Sequence, residues 1–196
     1  MNYLAHCCLV PATPEALAGS VLGDVIHGPD LSHLPAEIER AVRLHRFVDR
    51  WTDEHPENLA ARSLFKPPLR RFAGIIIDMA YDHFLARDFA ALEDRNLLAF
   101  SAQVYAALHQ YQSLAPERGQ ARLRYIIDTD LLNQYWHWPS VQKALRGIGS
   151  RFSRPTPLTT HVDEITPLLP TLDEHFQRFY PALKIEAAKQ WHKLGA

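Results

Sequence analysis

The chain has 196 residues, 47% hydrophobic and 22% charged, which suits one well-buried globular domain and excludes a disordered or fibrous protein. Twenty-one Lys and Arg against 22 Asp and Glu leave a formal charge of −1, without the basic excess that binding to nucleic-acid phosphates usually brings. Fourteen prolines against eight glycines favour helices punctuated by prolines over glycine-turned hairpins, so the expectation is an all-α, single-domain helical bundle spanning residues 1–196.

The opening Met1-Asn2-Tyr3-Leu4-Ala5-His6 has no basic segment, long apolar core or small-residue cleavage site. The neighbours Cys7 and Cys8 cannot form an unstrained ordinary disulfide. No apolar run nears the ~18 residues of a membrane span, and these readings together predict a cytoplasmic protein with neither membrane nor nucleic acid as partner. Thr13-Pro14 is an N-cap followed by proline in the first turn, and Leu17, Val21, Leu22 and Val25 keep a helical stripe up to Gly28-Pro29. A longer helix begins near Pro35 and carries Ile38, Ala41, Val42, His45, Val48, Asp49 and Thr52 on one stripe up to His55-Pro56.

After Lys66-Pro67-Pro68, one helix of about six turns is expected from Leu69 to about Phe89. Leu97 to Leu114 forms another, closed by Pro116 and Gly119, and shorter helices are expected over 121–135 and 140–149, around Tyr135-Trp136-His137-Trp138-Pro139. Residues 151–157 read as a sharp loop rather than a domain boundary, because the 40 that follow are too few for a core of their own. The last segment, from Ile165 to Leu183, is helical in spacing but must kink or restart at Pro167 and Pro170.

The informative positions are polar ones where the periodicity asks for apolar side chains. His45 and Asp49 are four apart on the face that carries Ile38 and Val42, with Asp53 one turn further on. Asp78 and Asp82 are likewise four apart, a repulsive pair unless a cation intervenes, and His83 follows directly. Asp24 sits in the apolar run Val21 to Ile26, and His6 in the apolar run Tyr3 to Leu9.

Taken singly, these residues read as a His–Asp hydrogen bond, a solvated acidic face, a surface acid and a core histidine. Together they suit a divalent ion, because imidazoles and carboxylates without paired thiolates hold Mn, Mg, Fe or Zn, and the carboxylate-rich balance leans toward Mn or Mg. Arg46, beside His45, reads either as a ligand for an anionic oxygen or as an exposed helix arginine. No P-loop, dinucleotide-binding, nucleophile-elbow or zincin motif is present.

These segments carry a resemblance. Met1-Asn2-Tyr3-Leu4-Ala5-His6, Leu22-Gly23-Asp24, Leu44-His45-Arg46-Phe47-Val48-Asp49-Arg50-Trp51-Thr52-Asp53 and Asp78-Met79-Ala80-Tyr81-Asp82-His83-Phe84-Leu85 closely resemble acyl carrier protein phosphodiesterase. This bacterial family is regarded as a divergent relative of the HD-domain metal-dependent phosphohydrolases, and the similarity extends to Arg178-Phe179-Tyr180-Pro181. The resemblance implies an HD-domain-like fold and hydrolysis of holo acyl carrier protein to the apo protein and free 4′-phosphopantetheine, with Mn²⁺ favoured and Mg²⁺ or another divalent ion possible.

The HD pattern of a His, an adjacent His-Asp pair and a later Asp matches His6 and Asp24, with Gly23 where the histidine of the pair belongs. Asp82-His83 is an adjacent acid–imidazole pair in reversed order. The implied ligands are His6, Asp24, Asp82 and His83, joined by His45 or Asp49, so that Asp24→Ala or Asp82→Ala removes turnover and leaves the fold intact. His83, with His45 in reserve, is the expected proton donor to the leaving serine, and Arg46 the neutraliser of a phosphate oxygen. Arg40, Arg43, Arg62, Arg70 and Arg71 are expected to steer the acidic carrier. The competing reading is an HD-type phosphohydrolase acting on a nucleotide or hyperphosphorylated guanosine.

Overall fold

The computed structural model describes residues 1–195, and among these every regular element is a helix. The first, α1 (Tyr3–Cys8), falls in the opening segment, where no periodic run foretells a helix. It is held at its N-terminus from outside: the Asn2 side chain accepts from the Tyr3 amide, and the buried Asp82 carboxylate accepts from Asn2, Leu4 and Ala5. Helix α2 (Pro14–Leu22) begins as predicted, with the Thr13 hydroxyl accepting from the Ala16 amide. Helix α3 (Ala36–Glu54) ends at His55, and Pro56 restarts the chain as α4 (Pro56–Ser63), with the His55 ring capping the Glu57 amide.

The six-turn helix expected from Leu69 is instead three pieces: a 3₁₀ turn over 69–72, α5 (Ala73–Arg87) and α6 (Phe89–Glu93). Then follow α7 (Leu97–Tyr111), α8 (Glu117–Asp128), α9 (Leu131–Gln134) and α10 (Trp138–Gly149). Gly119 does not end a helix. It lies inside α8, where an added β-carbon would sit 3.0 Å from Val25, so it lets α8 press on the turn after α2. Residues 151–156 form the expected loop, followed by α11 (Pro157–Thr160), a 3₁₀ stretch over 162–168 and α12 (Leu169–Leu194). Helix α12 restarts at Pro170, where a proline in the first turn costs no hydrogen bond.

Helix α5 is the axis of the core. Tyr81 and Phe84 are fully buried against Phe176 and Phe179 of α12, with ring centroids 5.4 to 5.8 Å apart. Helix α2 lies on α3 at very short range, because Gly19 leaves room for the backbone: an added β-carbon would stand 2.7 Å from the Ile38 carbonyl. Helices α1, α2, α3 and α5 thus meet around one end of the bundle, and α12 braces α3, α4 and α5 from behind. No helix among the described residues is long and apolar enough to cross a membrane.

Candidate metal centre

Where α1, α2, α3 and α5 meet, a cavity of about 580 Å³ opens. Its walls include His6, Asp24, His45, Asp49, Asp53 and Asp78, together with Met1, Tyr3 and Arg122. Helix α1 delivers His6, and α3 delivers His45 and Asp49 one turn apart. Both rings are buried and stacked at a centroid distance of 3.9 Å, and both Nε2 atoms turn toward the half-exposed Asp49. His6 Nε2 lies 3.1 Å from Asp49 Oδ1, and His45 Nε2 lies 3.2 Å from Asp49 Oδ2. One ligand atom from each of the three lies within 4.8 Å of the other two, close enough to share an ion.

The protons decide what this trio wants. His45 Nδ1 is 2.7 Å from the Ser20 carbonyl, which can only accept, so Nδ1 carries a hydrogen and a neutral His45 turns a lone pair toward the carboxylate. Burial first, and the facing His45 ring second, pull the His6 imidazole down to about 4, so it is neutral near pH 7. Burial would push the Asp49 carboxyl up, but the imidazoles at its two oxygens outweigh that, His6 as the donor, and hold it well below the usual carboxylate range. Asp49 is therefore an anion facing two imidazoles, with a bare nitrogen opposite one of its oxygens.

The other carboxylates of the cavity have permanent cations. The Met1 ammonium pairs with Asp78 at 2.8 Å, Arg122 with Asp24 at 3.0 Å, and Arg62 with Asp53. Asp49 alone of the four has only imidazoles beside it among the described residues. A divalent cation seated between the three side chains resolves both the uncompensated charge and the opposed lone pairs. His45, with its far nitrogen on a backbone carbonyl, has the orientation usual for a metal-bound imidazole.

Gly23 explains how His45 reaches this place. A β-carbon on residue 23 would fall 2.4 Å from His45 Cγ, so the imidazole occupies the volume that a side chain at 23 would need. The His45 ring, carried by α3, thus stands where a side chain from the turn after α2 would project.

Other residues singled out in the sequence lie elsewhere or are otherwise engaged. Asp24 is on the cavity wall, accepting from the Tyr3 hydroxyl at 2.7 Å while Arg122 donates to that same hydroxyl. Asp82 does not join the imidazoles: it is fully buried, and its oxygens are taken by the Asn2, Leu4 and Ala5 amides at 2.8 to 3.3 Å. Burial lifts it to about 7 in spite of those bonds. His83 points away, with Nδ1 2.7 Å from the Tyr135 carbonyl and its ring 5.4 Å from Trp138.

Arg46 donates to the Ile26 and Gly28 carbonyls at 2.9 and 2.8 Å and ties the loop after α2 to α3. Of the arginines expected to steer a carrier, Arg40 is bound to the Trp191 carbonyl, Arg43 to Glu39 and Arg62 to Asp53. Arg70 and Arg71 flank a separate hollow beside Pro67 and Pro68.

Sequence reasoning did not find Tyr3, Arg122 and Arg151. Tyr3 carries a signal, since it lies three residues before His6 on the same turn of α1. Arg122 and Arg151 carry none, being ordinary polar positions on α8 and in the loop after α10.

The family model described as acyl carrier protein phosphodiesterase matches residues 1–183. The chain belongs to this family, whose members are phosphodiester hydrolases. Proteins named acyl carrier protein phosphodiesterase from Salmonella dublin, Salmonella agona and Salmonella heidelberg are each 30% identical over 191 residues, covering 97% of this chain and 99% of the relative. No solved structure matches the chain. Family membership covers α1 to most of α12, so every residue lining the cavity lies within the matched segment.

Proposed function

We propose that this member of the acyl carrier protein phosphodiesterase family is a divalent-metal-dependent hydrolase. It cleaves the phosphodiester of holo acyl carrier protein, releasing apo carrier and 4′-phosphopantetheine. The observation that carries the reading is the Asp49 carboxylate held between two stacked imidazoles, one of which is fixed with a bare nitrogen toward it. His6, His45 and Asp49 hold the ion, and Mn²⁺ is the one to test first, since two imidazoles and a carboxylate suit a borderline ion better than Mg²⁺. When bound, the ion supplies positive charge that offsets the phosphate and acidifies water near neutral pH.

The chain's own residues do the rest. A phosphodiester entering the cavity meets Arg122, whose guanidinium compensates a non-bridging oxygen, the task assigned from sequence to Arg46. Water adds to phosphorus, the bond from phosphorus to the serine oxygen breaks, and that oxygen takes a proton. Tyr3 is the proton donor. Burial first, and Asp24 second, push its phenol far above its ordinary value, so it is protonated at pH 7, and Asp24 with Arg122 fixes its hydroxyl at the wall.

The test is to incubate the protein and Mn²⁺ with holo acyl carrier protein and weigh the carrier by mass spectrometry. The expected result is loss of the phosphopantetheine mass, abolished by chelation. A carrier of unchanged mass overturns the reading.

A further inference from the structure

A second hollow, of about 400 Å³, continues from the candidate metal centre between α8 and α10. The two share Asn2, Tyr3, Met79, Arg122, Ile148 and Arg151 as a common wall, so a ligand anchored in the first passes into the second over the Tyr3 ring. Beyond that wall the lining is apolar, with Ile126, Leu131 and Ala144, and its mouth carries Arg118 and Tyr125.

One group there has no employment within the fold. Tyr135 lines the hollow, its side chain is 1% exposed, and its hydroxyl has no hydrogen-bond partner. A buried hydroxyl without a partner costs about 1–3 kcal/mol, so a native structure keeps one where something else comes to satisfy it.

We propose that this hollow holds the pantetheine arm of the substrate, with the Tyr135 hydroxyl donating to an amide carbonyl of the arm. This rests on the phosphodiesterase reading above and extends it from the scissile bond to the group beyond the phosphate. A phosphate seated beside Arg122 leaves the arm two ways to go, into solvent or along the shared wall, and the arm's chemistry matches the wall. Its gem-dimethyl carbon and methylenes suit Ile126, Leu131 and Ala144, while its amides need a few donors and acceptors, which is the usual make-up of a small-ligand pocket of roughly 300–1,000 Å³. Burial holds the Tyr135 phenol protonated, so it acts as a donor. Residues of the hollow alone, Tyr135 and Ala144 among them, therefore govern recognition of the arm and stay out of the bond-breaking step.

The experiment compares two substrates, holo acyl carrier protein and bis(p-nitrophenyl) phosphate, a phosphodiester with no arm. Ala144→Trp fills the hollow and is expected to raise KM for the holo carrier by about tenfold or more, leaving cleavage of the armless diester unchanged. Tyr135→Phe is expected to raise the same KM severalfold without lowering Tm, since it removes a group the free protein leaves unpaired. Saturation-transfer NMR with pantetheine and the metal-free protein adds a readout independent of turnover: transfer is expected with the wild type and lost in Ala144→Trp.

Wild-type KM for the holo carrier in both variants, or no transfer to pantetheine in the wild type, overturns the arm site and leaves the phosphodiesterase reading standing. Wild-type cleavage of the armless diester without cleavage of the holo carrier overturns the substrate reading, and the arm site with it.

Discussion

Two groups of acids and imidazoles invite comparison: His6, His45 and Asp49 at the cavity, and Asp82 with His83 inside α5. In sequence the second is the more conspicuous, because an adjacent acid and histidine on a helix otherwise apolar look like a ligand pair. In the fold its acid is the saturated part: Asp82 accepts from three backbone amides, while His83 donates from Nδ1 to the Tyr135 carbonyl and packs on Trp138 away from the cavity, so the two do not converge on one spot. The first group is assembled from two helices that are distant in sequence, and it keeps an anion and a bare nitrogen aimed at one spot. A buried polar residue thus signals function when the lone pairs the backbone leaves free converge with those of other residues on one spot.

The sharpest way to break this comparison is to remove the trio. His45→Ala or Asp49→Ala is expected to abolish hydrolysis together with the rise in Tm on adding Mn²⁺, a rise that at a hundredfold excess over Kd corresponds to about 2.7 kcal/mol. A retained Mn²⁺ shift, read by differential scanning fluorimetry, places the ion elsewhere.

Gly23→Ala acts on the same ring without replacing any of the three residues. The new methyl displaces the His45 imidazole, and Mn²⁺ affinity is expected to fall roughly 10–100-fold, as for losing an orienting partner. Titration by isothermal calorimetry measures it.

Asp82→Ala tests the saturated group. Three amides lose their acceptor at the start of the helix that carries His6, so the expected result is a stability loss of about 1–3 kcal/mol or more by urea unfolding, in contrast to the intact fold expected from sequence. His83→Ala should have a smaller effect, about 1 kcal/mol for its hydrogen bond, with the Mn²⁺ shift preserved.

The pH dependence separates the groups by sign. His6 falls from 6.5 in the unfolded chain to about 4 in the fold, so the unfolded state takes up protons first and stability is lost as pH drops through that window. Asp82 runs the other way: raised to about 7 from the ordinary 3.8 of an aspartate, it costs stability as pH climbs between those values. Tm profiles of metal-free wild type, His6→Phe and Asp82→Asn should therefore bend in opposite directions, the first variant flattening the acid-side fall.

Much of the fold was legible. Proline and cap signals located α2, α3, α7 and the restart of α12, because those features act locally. Helix α1 was not, since its N-terminus is satisfied by a carboxylate 78 residues away from Leu4. Of the site, His6, His45, Asp49 and Asp24 could be picked out as polar interruptions of apolar stripes, but not which of them converge. That depends on the close approach of α2 to α3 at Gly19 and on the space left by Gly23, and glycine's missing side chain reveals nothing about its neighbours until they are placed.

The far end of α12 has a consequence for the metal centre. Arg40, on the helix that carries His45 and Asp49, donates to the Trp191 carbonyl and lies 4.0 Å over the Trp191 ring. Trp191 falls eight residues after the stretch shared with the family model. The position of the two proposed ligands on that helix is thus guyed by a part of the polypeptide beyond the segment the family model matches. Relatives with divergent tails would tune the pitch of that helix, and with it the grip on the ion, while keeping every ligand identical.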